Sequence, residues 1–149
     1  MVIAITSGYF DPIHRGHLEL IELSRGQGDR LWVIVNNDAQ AALKKGKAFI
    51  DQETRLAIVS ALRAVDRAVL SIDGDGSVCA TLDLLLAEAA ALGATAVFCK
   101  GGDRNAGNIP ENAVLAKHGA RLIDGLGAKI DSSSAILSRR DKPAPGCRP

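Results

Sequence analysis

The sequence predicts an α/β domain: a doubly wound, mostly parallel sheet of about five strands with helices on both faces, spanning residues 1–140. Three observations carry that expectation. Short β-branched runs, apolar throughout, recur along the chain and suit strands buried on both faces. Segments with helical apolar spacing lie between them, so strand and helix alternate as in βαβ units. The polar, glycine-rich stretches at 7–17, 36–38 and 100–105 each follow one of the apolar runs. In a parallel sheet that places them along one edge, where the C-terminal ends of strands gather a ligand site.

The elements follow in order. Val2-Ile3-Ala4-Ile5-Thr6 is the first strand, ending at Ser7-Gly8. From His17 to about Arg25, Leu18, Ile21 and Leu23 alternate with Glu19 and Glu22 as a helix that closes at Gly26 and Gly28. Leu31 to Val35 is a second strand, stopping at Asn36-Asn37-Asp38, and Lys44-Lys45-Gly46-Lys47 reads as a polar, basic stretch. Asp51 is an N-cap for a helix through Ala64. Ala68 to Ile72 is a third strand, followed by a turn at Asp73-Gly74-Asp75-Gly76. Ser77 to Leu92 is an Ala/Leu helix ended by Gly93. Ala96 to Cys99 is a fourth strand, running into Lys100-Gly101-Gly102-Asp103-Arg104. Pro110 starts a helix to His118. Arg121 to Ile123 is a short strand, and Ser132 caps a last helix to about Arg140. Residues 141–149 hold three of the five prolines and read as a loose tail.

Composition narrows the function classes. With 149 residues, 47% hydrophobic and 23% charged, the chain has the balance of one soluble domain. Eighteen Lys+Arg against 17 Asp+Glu leave a net charge of +1, without the basic excess of a protein that coats nucleic acid. Aromatics at 3% are too few for a base-stacking platform. No apolar run approaches the roughly 20 residues of a membrane span, and Met1 to Thr6 lacks the basic start of a signal peptide. A cytoplasmic protein with no membrane partner is expected. Cys79, Cys99 and Cys147 are odd in number and far apart, so they read as reduced thiols, the first two as small core residues.

The strongest chemical signal is Gly8-Tyr9-Phe10-Asp11-Pro12-Ile13-His14-Arg15-Gly16-His17: a strand, a glycine turn, then two histidines flanking a glycine at a helix start. Free backbone N–H groups and the positive end of the helix dipole favour a phosphate there. His14 and His17 add ring N–H donors, and Gly16 allows close approach to the backbone. Two histidines so spaced are hard to explain as incidental loop residues.

This segment resembles the H-x-G-H signature of the cytidylyltransferase-like nucleotidyltransferases, and the resemblance extends from Val2 to about Arg140. It implies a Rossmann-like fold and transfer of a nucleoside monophosphate from a nucleoside triphosphate to a small phosphorylated or phosphonate metabolite, with release of pyrophosphate. Lys45-Gly46-Lys47 looks like the K-x-K of the glycerol-3-phosphate cytidylyltransferase group, where lysines meet phosphates. Arg55 matches an arginine common in that group, and Asn36 falls in the stretch expected to line the acceptor pocket. Lys100-Gly101-Gly102-Asp103 resembles the K-G-G-D of the heptose adenylyltransferases, near the nucleotide. Ser132-Ser133-Ser134-Ala135-Ile136 resembles the I-S-T-T-x-I element that holds the triphosphate, with Arg139 one to two turns on. Ahead of it the cytidylyltransferases read R-T-E-G where this chain reads Gly127-Ala128-Lys129-Ile130, so only Lys129 stands near the family's arginine.

The resemblance assigns catalysis to His14, His17, Lys45 and Lys47, which would position and neutralise the phosphates rather than attack them. Magnesium is expected with the triphosphate, bound by substrate oxygens and water, with Asp11 reaching it through water and no dedicated metal cage. K-x-K leans toward CTP, slightly the favoured nucleotide, and K-G-G-D toward ATP and a sugar 1-phosphate. The competing class is a non-catalytic nucleotide-binding module. Dimers are common in the resembling family, and the Ala/Leu helix at 78–92 suits the core better than an interface.

Overall fold

The computed structural model describes residues 1–102 and 109–127. The last helix expected from Ser132 and the tail at 141–149 lie outside the described residues. Five strands form one all-parallel sheet: β1 (Val2–Gly8), β2 (Arg30–Val35), β3 (Arg67–Leu70), β4 (Thr95–Gly101) and β5 (Arg121–Leu126). Their order is β3-β2-β1-β4-β5, so β1 is central and the chain reverses direction across it. Five helices fill the connections: α1 (Arg15–Arg25), α2 (Asp38–Lys45), α3 (Gln52–Ser60), α4 (Cys79–Ala91) and α5 (Glu111–His118).

Strand periodicity sorts the core into two halves. Ile3, Ile5, Trp32, Ile34 and Phe98 point to one face, against Leu82, Leu85, Leu86 and Ala89 of α4 and Leu115 of α5. Ala4, Leu31, Val33, Val35, Val97 and Cys99 point to the other, against Ile21 of α1 and Val59 of α3. Both faces are covered, which is why the strands are apolar throughout rather than alternating. The Ala/Leu helix therefore serves the core, although Leu84 and Leu92 are exposed. Cys99 is buried, with its thiol pushed up to about 11 by burial. Cys79, expected in the core, is only half-buried because it opens α4.

One element departs from the sequence reading. The basic stretch before Gly46 is the last turn of α2. Asn37 accepts the Gln40 amide at 2.9 Å, and the Gln40 side chain accepts the Asn37 amide at 3.1 Å, a reciprocal capping box. The helix ends at Gly46, whose φ of 82° is a left-handed cap that glycine adopts without strain. α3 keeps its Asp51 cap but stops at Ser60, four residues before Ala64, because Leu62, Ala64 and Val65 turn in to pack beside β3. No helix among the described residues is long and apolar enough to cross a membrane.

Candidate functional site

Because every strand runs the same way, β1, β2 and β4 all end on one edge, and the turns that follow them carry the sequence-predicted residues. Gly8 closes β1 and Phe10 turns the chain with φ 53°, its ring buried beneath Gly8. A Cβ at Gly8 would meet that ring at 2.9 Å, so the glycine makes room for Phe10 rather than for a ligand. The Phe10 ring in turn meets the His17 imidazole edge-on at 4.9 Å.

The two histidines build the start of α1. His14 is the N-cap, its Nδ1 accepting from the Gly16 amide at 3.1 Å, and His17 Nδ1 accepts from the His14 amide at 3.2 Å. Their rings stack at 3.8 Å and 24°. An imidazole whose Nδ1 accepts a hydrogen bond carries its proton on Nε2, so each ring presents an Nε2–H. Burial, reinforced by the charges of His14, Lys44 and Lys45, pushes His17 down to about 3, which keeps it neutral. The amides of Gly16, His17 and Leu18 are meanwhile used within the turn, on His14 Nδ1 or the His14 carbonyl. The expectation of free backbone N–H groups at Gly16 is therefore corrected.

Asp11 is corrected as well. It is 0% exposed, and its carboxylate accepts from the amides of Phe49 at 2.9 Å and Ile50 at 2.6 Å and pairs with Lys45 Nζ at 2.9 Å. Burial acts to raise its pKa, but the Lys45 hydrogen bond and the two amides outweigh it and hold the carboxyl below its usual range. Both oxygens accept hydrogen bonds, so Asp11 fastens α2 and the 46–51 segment to the β1 turn. Among the described residues no cluster of three His, Cys, Asp or Glu side chains could hold a metal ion.

Arg55 and Asn36 are both buried and bonded within the protein. Arg55 is 1% exposed, and its guanidinium donates to the carbonyls of Ile50 at 2.8 Å, Tyr9 at 2.8 Å and Asn36 at 2.6 Å and to Asp38 Oδ1 at 2.8 Å. It ties the ends of β1 and β2 to α2 and to the entry of α3. Asn36 is buried, with its side-chain amide donating to Gln40 Oε1 at 3.0 Å.

Positive charge collects around the histidines. Lys45, though drawn onto Asp11, remains partly exposed, and Lys47 is exposed beyond Gly46. Lys44, outside the K-x-K reading, places its Nζ 4.4 Å from the centre of the Tyr9 ring. Desolvation of its ammonium and the charges of Lys45 and Lys100 lower its pKa, so these lysines share one electrostatic neighbourhood. The signal in the sequence was its place in the last turn of a capped helix, one residue before Lys45. Burial pushes the Tyr9 phenol up. Gly101 lies in close contact, where a Cβ would come within 3.1 Å of the Leu126 carbonyl and of a Leu20 methyl, whereas Gly102 is set by its φ of 75°. Asp103, Lys129, Ser132, Ser133, Ser134 and Arg139 lie outside the described residues.

The family model described as Cytidylyltransferase-like matches residues 5–133. An FAD synthase of Thermoplasma volcanium is 37% identical over 75 residues, 50% of this chain and 53% of that protein. The bifunctional protein HldE of Pseudomonas fluorescens is 31% identical over 140 residues, 92% of this chain but 27% of its own length. The chain thus spans about half or less of the curated relatives it matches. A lipopolysaccharide core biosynthesis protein from Thermoplasma volcanium has a similar fold, with a TM-score of 0.60 at 23% identity, covering 83% of this chain and 94% of that one.

Proposed function

The chain belongs to the cytidylyltransferase-like family, and from that premise we propose that it is a nucleotidyltransferase. The observation that carries the reading is the stacked His14–His17 pair, with each Nδ1 used as an acceptor and the rings surrounded by lysines. His17, which burial holds neutral, is an N–H donor suited to a phosphate oxygen without becoming a proton source.

The chemistry suits them. An oxygen of the acceptor's phosphate or phosphonate attacks the α-phosphorus in line, a new P–O bond forms, and the bond to the β-phosphate oxygen breaks, so that pyrophosphate leaves with its electron pair. The attacking oxygen is already anionic near neutrality, so no general base is required. The protein's task is orientation and stabilisation of charge that builds on the phosphate oxygens. His14 and His17 donate to the α- and β-phosphates in this reading. Lys45 and Lys47 offset the negative charge of the polyphosphate. Ser132, Ser133 and Ser134 hold its β/γ end, with Lys129 and Arg139 nearby, and Lys100, Gly101, Gly102 and Asp103 border the nucleoside, as the resemblance implies. Magnesium accompanies the triphosphate on substrate oxygens.

We place ATP ahead of CTP as the donor. The K-G-G-D loop supports this, and so does the FAD synthase similarity, because FAD itself carries an adenylyl group. The acceptor is a small phosphorylated metabolite, a sugar 1-phosphate or a flavin phosphate before a polyol phosphate. Thermal unfolding with magnesium and each of ATP, CTP, GTP and UTP tests the donor. At 100 times its Kd a ligand adds about 2.7 kcal/mol, roughly 5–10 °C in a domain of this size. A shift with ATP alone supports adenylyl transfer, one with CTP alone reverses the nucleotide, and no shift with any of them counts against the reading.

A further inference from the structure

The two faces of the edge strand β5 are covered unequally. On the side of Ile3, Ile5 and Phe98, α5 lays Leu115 into the core and Leu122 packs against it. On the other side Ile123 and Leu126 pack against the cluster of Val97, Cys99 and Ile21 but stay only partly buried. Among the described residues α1 is the helix that meets β5 from that side, while α3 packs on β2 and β3. A Cβ on Gly101 would come within 3.1 Å of a Leu20 methyl, and one on Gly127 within 3.3 Å of a Leu23 methyl. Both leucines therefore lie on the flank of α1 that looks toward β5, and Leu23 is 39% exposed there. A parallel sheet is stable with both faces covered, so this half-covered flank has room for one more element.

The chain arrives at that flank. Gly127 turns with φ 80°, and a Cβ on it would also meet the Glu19 carboxylate at 2.7 Å, so the backbone leaves β5 directly against α1. Residues 128–140 carry Ile130, Ile136 and Leu137, and three cations, Lys129, Arg139 and Arg140, against one acid, Asp131. α1 presents the opposite sign in Glu19 and Glu22. Even wholly helical, such a segment spans about 20 Å, more than the roughly 16 Å of α1, so reach is not limiting.

We propose that residues 128–140 pack back against α1 and β5. Ile130, Ile136 and Leu137 complete the cover of Leu23, Ile123 and Leu126, and the segment's excess positive charge is drawn toward Glu19 and Glu22. The proposal goes beyond the nucleotidyltransferase reading and does not depend on it, because it rests on an apolar face and on charge alone.

Hydrogen exchange and thermal melts of the full chain test it, on wild type, Ile136→Asp/Leu137→Asp, Ile136→Ala/Leu137→Ala and, as a control on the opposite face, Leu84→Asp. The aspartate double variant exchanges about tenfold faster at β5 and at residues 19–23 of α1, keeps its exchange at α4, and melts about 4 °C or more below wild type. The alanine double variant shows the same pattern at smaller amplitude, which separates lost cover from an introduced charge. Leu84→Asp leaves β5 and α1 unchanged. Wild-type exchange at β5 and α1 in both double variants overturns the proposal, and so does an increase confined to α4 and α5, which would put the segment on the other face. Wild-type protection of β5 and α1 that rises with protein concentration gives the face to a second copy of the chain and likewise overturns it.

Discussion

Arg55 shows how far a residue's role departs from what its type suggests. An arginine near a phosphate site invites assignment to substrate, yet the Arg55 guanidinium donates to three backbone carbonyls and to Asp38. Replacing it with leucine keeps apolar volume and removes all four bonds. The carbonyls of Ile50, Tyr9 and Asn36, the last buried and the other two part-buried, then lack their donor, at a cost of about 1–3 kcal/mol for each that water cannot reach. These costs do not sum fully, because the turns relax. Asp38 is 41% exposed, so water replaces its partner and the ion pair adds only about 0–1 kcal/mol. The expected loss is about 3–5 kcal/mol, the scale for breaking a buried charged network. At about 2–4 °C per kcal/mol that lowers Tm by roughly 6–20 °C. Circular dichroism melts of wild type, Arg55→Leu and Arg55→Lys measure it, with the lysine variant intermediate because one ammonium cannot reach all four acceptors. Arg55→Leu melting within about 2 °C of wild type, with a raised KM for substrate, would refute the clamp and return Arg55 to the substrate.

Two further perturbations follow from the same geometry. Asp11→Asn removes the charge that holds Lys45 and turns one acceptor toward an amide N–H, so a loss of about 2–4 kcal/mol is expected in urea unfolding. Because the folded pKa of Asp11 is depressed, its contribution is present above the unfolded value near 3.9 and disappears as pH falls through the folded one. Wild type should therefore lose stability more steeply than Asp11→Asn below about pH 4, and parallel acid-unfolding curves would contradict this. His17 has a folded value of about 3, below its unfolded value near 6.5. The unfolded chain then binds the extra proton, and stability falls as pH drops below about 6.5, by roughly 1.4 kcal/mol per unit until the folded group titrates. Nitrogen-15 chemical shifts should show His17 neutral with its proton on Nε2 from pH 8 to pH 5, and a titration midpoint near 6.5 would show that burial does not hold it.

Much of the fold was legible because both sheet faces are covered: fully buried strands such as Leu31 to Val35 announce themselves as short apolar runs between glycine and asparagine breaks. The His14–His17 pair was legible as a motif from its spacing at a helix start, but its capping of α1 was not. α2 was not read because it has only eight residues and ends in lysines, so charge concealed the Asn37–Gln40 capping box. The roles of Asp11 and Arg55 were hidden more deeply. Their partners are amides and carbonyls 38 and 39 residues away for Asp11 and as far as 46 for Arg55, a distribution that no local pattern encodes. Residue type announces that a charge must be satisfied; only the folded chain shows that backbone does it here. The difference between Lys44 and Lys45 is of the same kind, because Lys45 is captured by Asp11 and Lys44 by the Tyr9 ring.

The most direct test of the central claim is acceptor-dependent pyrophosphate release, followed with magnesium–ATP or magnesium–CTP and a panel of sugar phosphates, polyol phosphates and phosphonates. His17→Ala is measured beside wild type after its melt confirms that it is folded. Loss of one transition-state donor predicts turnover lower by about 10²–10³ in the variant. Near-normal release from folded His17→Ala, or no release by wild type with any acceptor, would contradict the account.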